Sequence, residues 1–163
     1  MGNQPLPLES RVSDWTTKPK RKLRLLLVED SPDGYNVVLK VFQQPPSVWE
    51  VQLLENGQQA VDFLFKLGSF DNAWRPDLVL LNLNLPRLTG HEVLAEVKKD
   101  SSLRRIPIVL WTVSKRAEDI EKAYGAGIAA YLCKQGPTKS EFPKELIALR
   151  SFWERVCFLG DVV

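Results

Sequence analysis

Four leucine and valine residues, Leu78 to Leu81, run uninterrupted between Pro76-Asp77 and the polar end Asn82-Leu83-Asn84-Leu85-Pro86. A run this short and this apolar, with no polar alternation, reads as a strand buried on both faces. That situation belongs to the middle of a parallel sheet covered by helices on each side. Its polar end then lies at the carboxyl edge, where open α/β sheets keep their chemistry.

The rest of the chain alternates in the same sense. Leu23–Val28 is a short apolar strand closed by Glu29-Asp30-Ser31-Pro32, and Pro32 suits the first turn of a helix carrying Tyr35, Val38, Leu39 and Phe42. Pro45-Pro46 ends that helix. Val48–Leu54 reads as a second strand, and Gly57 opens a helix with Ala60, Val61, Phe63 and Leu64. A polar loop through Asn72 and Arg75 leads to the third strand, and Thr89-Gly90 precedes a helix with Val93, Leu94 and Val97 on one face. Ile106–Thr112 is the expected fourth strand, followed by a helix over 115–124 that Gly125 and Gly127 end. Ala129–Lys134 is the fifth strand, and a last helix is expected from Glu141 to Val156 with Pro143 in its first turn. Five such units imply a flavodoxin-like, doubly wound (βα)5 α/β domain, with right-handed crossovers and strand order 2-1-3-4-5.

With 163 residues, 44% of them hydrophobic, the chain supports one well-buried core. A net charge of +2 gives no reason to expect nucleic-acid or membrane binding. No apolar stretch approaches the roughly 20 residues of a membrane span, and no signal-peptide segment opens the chain, so a cytoplasmic protein is expected. Cys133 and Cys157 lie in apolar contexts and read as reduced. The expected organisation is a tail over 1–22, a domain over 23–158 and an extension over 159–163. Lys18, Lys20, Arg21, Lys22 and Arg24 make the end of the tail basic; it is either a solvated leader or a docking arm for an acidic partner.

Strand order brings Glu29, Asp30, Asn82, Thr112 and Lys134 to one shallow pocket, since each falls at the carboxyl end of its strand. The segments LLLVEDSPDGY, PDLVLLNLNLPRLTGHEVLAEVKKD, IPIVLWTVS and AAYLCK together resemble the receiver domain of two-component response regulators over residues 23–156. The leader, the RRIP loop and the C-terminal SFW look more particularly like the small phytochrome-associated response regulators of cyanobacteria.

In such receivers the third-strand residue is an aspartate that takes a phosphoryl group from a sensor histidine kinase; the narrower resemblance implies a phytochrome as that kinase. The resemblance implies that Glu29 and Asp30, with residue 82 and the backbone carbonyl of Asn84, hold Mg2+. It implies that Thr112 and Lys134 bind the phosphoryl oxygens. Tyr131 matches an aromatic switch that swings inward on activation; it reads equally well as an ordinary half-buried strand tyrosine.

Asn82 breaks the pattern. An amide is a poor nucleophile, and it removes one anion from the metal site, so Mg2+ binding is expected to weaken. Asp77 cannot stand in, being about 16 Å away along the same strand and on its other face. Asp30 would have to leave the metal. The family usually has proline, often cis, after the lysine; Gln135 stands there, and altered loop geometry is expected. Val113 is bulkier than the usual residue after the threonine.

The expectation is therefore a stand-alone, receiver-like signalling module that works by protein contact and is not an enzyme. The alternative is a phosphoryl-accepting receiver in which Asn has been introduced for Asp at position 82. A phosphohydrolase would need an aspartate where Asn82 and Asn84 stand, and a flavin site would need a less acidic first turn. The only histidine, His91, reads as a surface residue. Homodimerisation is expected through Tyr124, Leu149, Phe152, Trp153 and Phe158, which together exceed the apolar stripe needed to cover the sheet.

Overall fold

The computed structural model describes residues 21–134 and 143–155. Five strands, β1 (Leu23–Val28), β2 (Trp49–Leu54), β3 (Leu78–Leu81), β4 (Ile108–Thr112) and β5 (Ala130–Cys133), form one parallel sheet in the order β2-β1-β3-β4-β5. Between and after them lie α1 (Pro32–Gln43), α2 (Gly57–Leu64), α3 (Gly90–Lys99), α4 (Ala117–Gly125) and α5 (Lys144–Arg155). This is the order expected from the apolar strands.

The two-residue period of the strands splits the core into two layers. Leu26, Val28, Val79, Leu81, Ile108 and Leu110 meet Ala60 and Phe63 of α2, Val93, Leu94 and Val97 of α3, and Ala123 of α4. On the opposite face Leu25, Leu27, Leu78, Leu80, Val109 and Trp111 meet Val38, Val41 and Phe42 of α1 and Leu146, Leu149 and Trp153 of α5. All four residues of β3 are at most 1% exposed, which is why that segment shows no alternation.

Helix ends follow local chemistry. Thr89 and Glu92 form a reciprocal capping box at α3, and Asn56 caps α2 through the Gln59 N–H. The starts of β2, β4, α4 and β5 fall one or two residues later than the sequence suggests. Residues Leu103–Arg105 form a 3-10 turn in which the Ile106 N–H donates to Leu103 O at 2.9 Å, and Pro107 has no N–H, so β4 begins only at Ile108. Pro143 immediately precedes α5 and its carbonyl accepts the N–H groups of Leu146 and Ile147. The expected start at Glu141, the end at Val156, Cys157, Phe158, Gln135 and the tail before Arg21 lie outside the described residues.

Leu149 and Trp153 require a correction. They are 9% and 8% exposed and packed on the sheet, so they are core residues and not exposed interface anchors. With Leu146 they occupy the i, i+3, i+7 stripe of α5, which the sheet consumes. Phe152 projects elsewhere and is 49% exposed. At the amino edge of the sheet, buried Asp77 accepts both terminal nitrogens of Arg21 at 2.7 Å and the Arg24 N–H at 2.8 Å. The last basic residue described before Lys22 is thus tied to the domain, far from the polar pocket.

Candidate functional site

Register decides which side chains meet. Val28 of β1 pairs with Leu81 of β3, so the next residues, Glu29 and Asn82, lie side by side. The ladder continues past both strands, with the Asn82 N–H on Val28 O at 3.0 Å. Thr112 pairs with Cys133, and the Lys134 N–H reaches Thr112 O at 2.7 Å, bringing Lys134 to the same edge.

Glu29 is the centre of the pocket and only 1% exposed. Its Oε2 accepts the Lys134 ammonium at 2.5 Å, and its Oε1 accepts the Ser31 N–H at 3.2 Å and the Asn82 Nδ2 at 3.3 Å. Space for this carboxylate comes from Gly34 in α1, where a Cβ would lie 2.7 Å from Glu29 Cδ. The Lys134 Nζ also stands 4.5 Å from the centroid of the Trp111 ring, so the ammonium is held between a carboxylate and an indole face.

Asn82 is 8% exposed. A carboxylate can only accept, so its NH2 group must be the one turned to Glu29. The same NH2 lies 3.3 Å from Asn84 O, and Oδ1 lies 3.4 Å from the Asn84 N–H. An aspartate could not make the contact to Glu29; the amide suits this charge arrangement. Gly90 at the start of α3 lets the strand end approach closely, since a Cβ there would meet Asn82 O at 2.4 Å. Asp30 and Asn84 are exposed, and Thr112 is fully buried with its Oγ1 accepting the Ser114 N–H at 3.3 Å.

Glu29 and Asp30 are the two carboxylates that this strand edge could offer a divalent cation. Among the described residues no group of three His, Cys, Asp or Glu converges on one point. Glu29 already accepts from Lys134 through one oxygen and from the Ser31 N–H and the Asn82 amide through the other, so a hard cation here would compete with those donors, with exposed Asp30 beside it.

His91 is partly exposed but not free of partners. It is half-buried, with its Nε2 3.2 Å from Asp119 Oδ1 in α4. The other Asp119 oxygen accepts the Ser114 hydroxyl at 2.6 Å. The Ser114 hydroxyl first, and His91 second, hold the Asp119 carboxyl below its ordinary pKa. Tyr131 donates its phenol to Ser114 O at 3.1 Å, and burial pushes that phenol's pKa up. Ser114, Asp119, Gly34 and Trp111 were not marked as site residues by any strand-end pattern.

Tyr124 borders the outer edge of β5, and Phe152 is exposed on α5. The Tyr124 hydroxyl accepts the Tyr131 N–H at 3.3 Å, filling a donor that an edge strand leaves open. On α5, Arg150 reaches Val41 O and Pro46 O, and Glu154 accepts the Trp49 indole N–H, so that flank faces α1 and β2. Phe152, about 200° round the helix from Arg150, points away from that flank.

Residues 25–144 match the response regulator receiver domain family. The chain is 38% identical over 142 residues to response regulator Rcp1 of Synechocystis, covering 87% of this chain and 94% of that protein. It is 32% identical over 130 residues to the probable methanogenesis regulatory protein FilR2 of Methanothrix harundinacea, covering 79% of this chain and 82% of that one. Among solved structures, the Mn(2+)-bound form of Rcp1 superposes with TM-score 0.80 at 37% identity, over 85% of this chain and 99% of that chain. The phosphorylated cyanobacterial phytochrome response regulator RcpA gives TM-score 0.81 at 32% identity, over 86% and 99%.

Proposed function

The chain belongs to the response regulator receiver family and is related to phytochrome response regulators, and from that premise we propose that it signals by protein contact without accepting a phosphoryl group at residue 82. The observation that carries this is the Asn82 amide, placed where an acceptor carboxylate belongs and donating to Glu29 at 3.3 Å. Forming an acyl phosphate needs a carboxylate nucleophile. Asp77 sits at the opposite edge of the sheet in a bidentate pair with Arg21. Asp30 is exposed on the β1–α1 loop, not at the end of β3.

On this reading Lys134 and Thr112 keep their places but serve inside the protein, Lys134 as the counterion of Glu29 and Thr112 as an acceptor for the following loop. Mg2+ binds more weakly than it would with a third carboxylate. The protein has no catalytic residue. Its partners are a sensor histidine kinase, of phytochrome type by relation, and a second copy of itself across the β5 edge through Tyr124 and Phe152, with Phe158 in the same set. It works in the cytoplasm and binds neither nucleic acid nor membrane; no helix among the described residues is long and apolar enough to cross one. Residues 1–22 are a tail to the 23–158 domain, and 159–163 an extension.

A second reading, a phosphoryl-accepting receiver with Asn introduced for Asp, draws on the presence of Glu29, Asp30, Thr112 and Lys134 around position 82. Acetyl phosphate, then a sensor kinase, separates the two by intact mass. The first reading expects no phosphoryl adduct on this chain; an adduct on it sinks the proposal. An adduct on Asn82→Asp alone assigns the loss of chemistry to that one atom pair. Sedimentation at micromolar concentration tests the dimer, and a purely monomeric chain would count against it.

A further inference from the structure

Ser114 is tied to three elements at once. Its hydroxyl donates to Asp119 Oδ2 of α4 at 2.6 Å, and Asp119 Oδ1 lies 3.2 Å from His91 Nε2 at the start of α3. Its own N–H donates to Thr112 Oγ1 at the end of β4, 3.3 Å away, and its carbonyl accepts the Tyr131 phenol of β5 at 3.1 Å. The Arg116 N–H adds a long contact of 3.4 Å to the same hydroxyl. Residue 82 takes no part in any of these bonds.

We propose that the His91–Asp119–Ser114 chain is a built-in latch. It holds the β4–α4 loop in one arrangement, and through Tyr131 it sets the shape of the β5 edge and the Tyr124 side of that face, with no group attached to residue 82. The inference rests on the proposed function and supplies its regulation: a module without phosphoryl chemistry needs another way to fix its partner surface.

The physical case is one of simultaneous loss. The Ser114 hydroxyl bond is charge-assisted and short, and such bonds are about twice as strong as neutral ones. Moving the loop outward would break it while stripping the half-buried Tyr131 phenol of its acceptor, and an unpaired buried hydroxyl is costly. Asp119 also joins α4 to α3 through His91, so the loop cannot shift alone. The Tyr131 N–H is bonded to Tyr124 OH, which carries the same constraint to the exposed ring of Tyr124.

Amide hydrogen exchange on the full chain tests this, comparing it with Asp119→Ala and Ser114→Ala. Exchange in residues 113–119 and at Tyr131 is expected to speed up about tenfold in either variant, while β1 and β3 stay protected. A folded variant in which Tyr131 keeps its protection overturns the latch, even if 113–119 loosen. Should Asp119→Ala fail to fold, Ser114→Ala, which removes one hydroxyl, decides the matter by the same criterion. Asp119→Asn, which keeps an oxygen for Ser114, is expected to recover part of the protection; no recovery also counts against the idea. Phosphoryl uptake is measured separately by mass, so failure of the silent-site reading and failure of the latch are distinct results.

Discussion

Replacing Asn82 by Asp would place a second carboxylate against Glu29. The amide nitrogen now lies 3.3 Å from Glu29 Oε1. At that separation two unit charges repel by about 5 kcal/mol at an effective dielectric of 20, and by about 1.3 kcal/mol in bulk water. The substitution also removes a hydrogen bond to a charged group, worth roughly 1.5–3 kcal/mol net. Lys134, 2.5 Å from the other oxygen of Glu29, offsets part of this by attracting both carboxylates. We expect Asn82→Asp without metal to be about 2 kcal/mol less stable at neutral pH, lowering Tm by about 4–8 °C for a chain of this length. Mg2+ should reverse the sign. At a concentration a hundred times its Kd the metal returns about 2.7 kcal/mol, whereas the Asn chain in the same titration should move by far less. Thermal unfolding by circular dichroism, with and without Mg2+, reads both effects. If metal-free Asn82→Asp equals or exceeds the Asn chain in stability, residue 82 does not face Glu29 as described. If both chains gain equally from Mg2+, the third carboxylate is irrelevant to the metal and the account of the pocket is wrong.

Gly34→Ala should destabilise although alanine is the better helix former by about 1 kcal/mol, because its Cβ would meet Glu29 Cδ at 2.7 Å. A loss of about 1–3 kcal/mol in denaturant unfolding is expected. Trp153→Ala should cost about 3–5 kcal/mol as a core truncation. Phe152→Ala should leave the folded monomer within about 0.5 kcal/mol yet weaken self-association, which sedimentation would report. The carboxyl of Asp119 is held below its ordinary 3.8, so its contribution is fully present above that pH and is lost as pH falls through the lower folded value. Asp119→Ala should therefore flatten the acid limb of the stability curve below about pH 4; an unchanged acid limb would show that the Ser114 and His91 bonds do not hold in solution.

The architecture was readable in the chain because it depends on periodicity. Leu78–Leu81 could only be a central strand, and the alternation of strand and helix signals around it left the 2-1-3-4-5 order as the natural arrangement. The residue type at position 82 is equally legible, since an amide cannot become a carboxylate by folding. The aromatic surplus on α5 was not. Leu149, Phe152 and Trp153 look alike in one dimension, and only the helix phase against the sheet put two of them in the core and one outside. Two pairings between side chains 17 and 28 residues apart were likewise not legible. His91 meets Asp119, and Tyr131 meets the Ser114 carbonyl, because strand register and helix packing bring their backbones together. Residue type states what a side chain can do; which partner it does it with is set by three-dimensional neighbours, and local sequence carries no term for them.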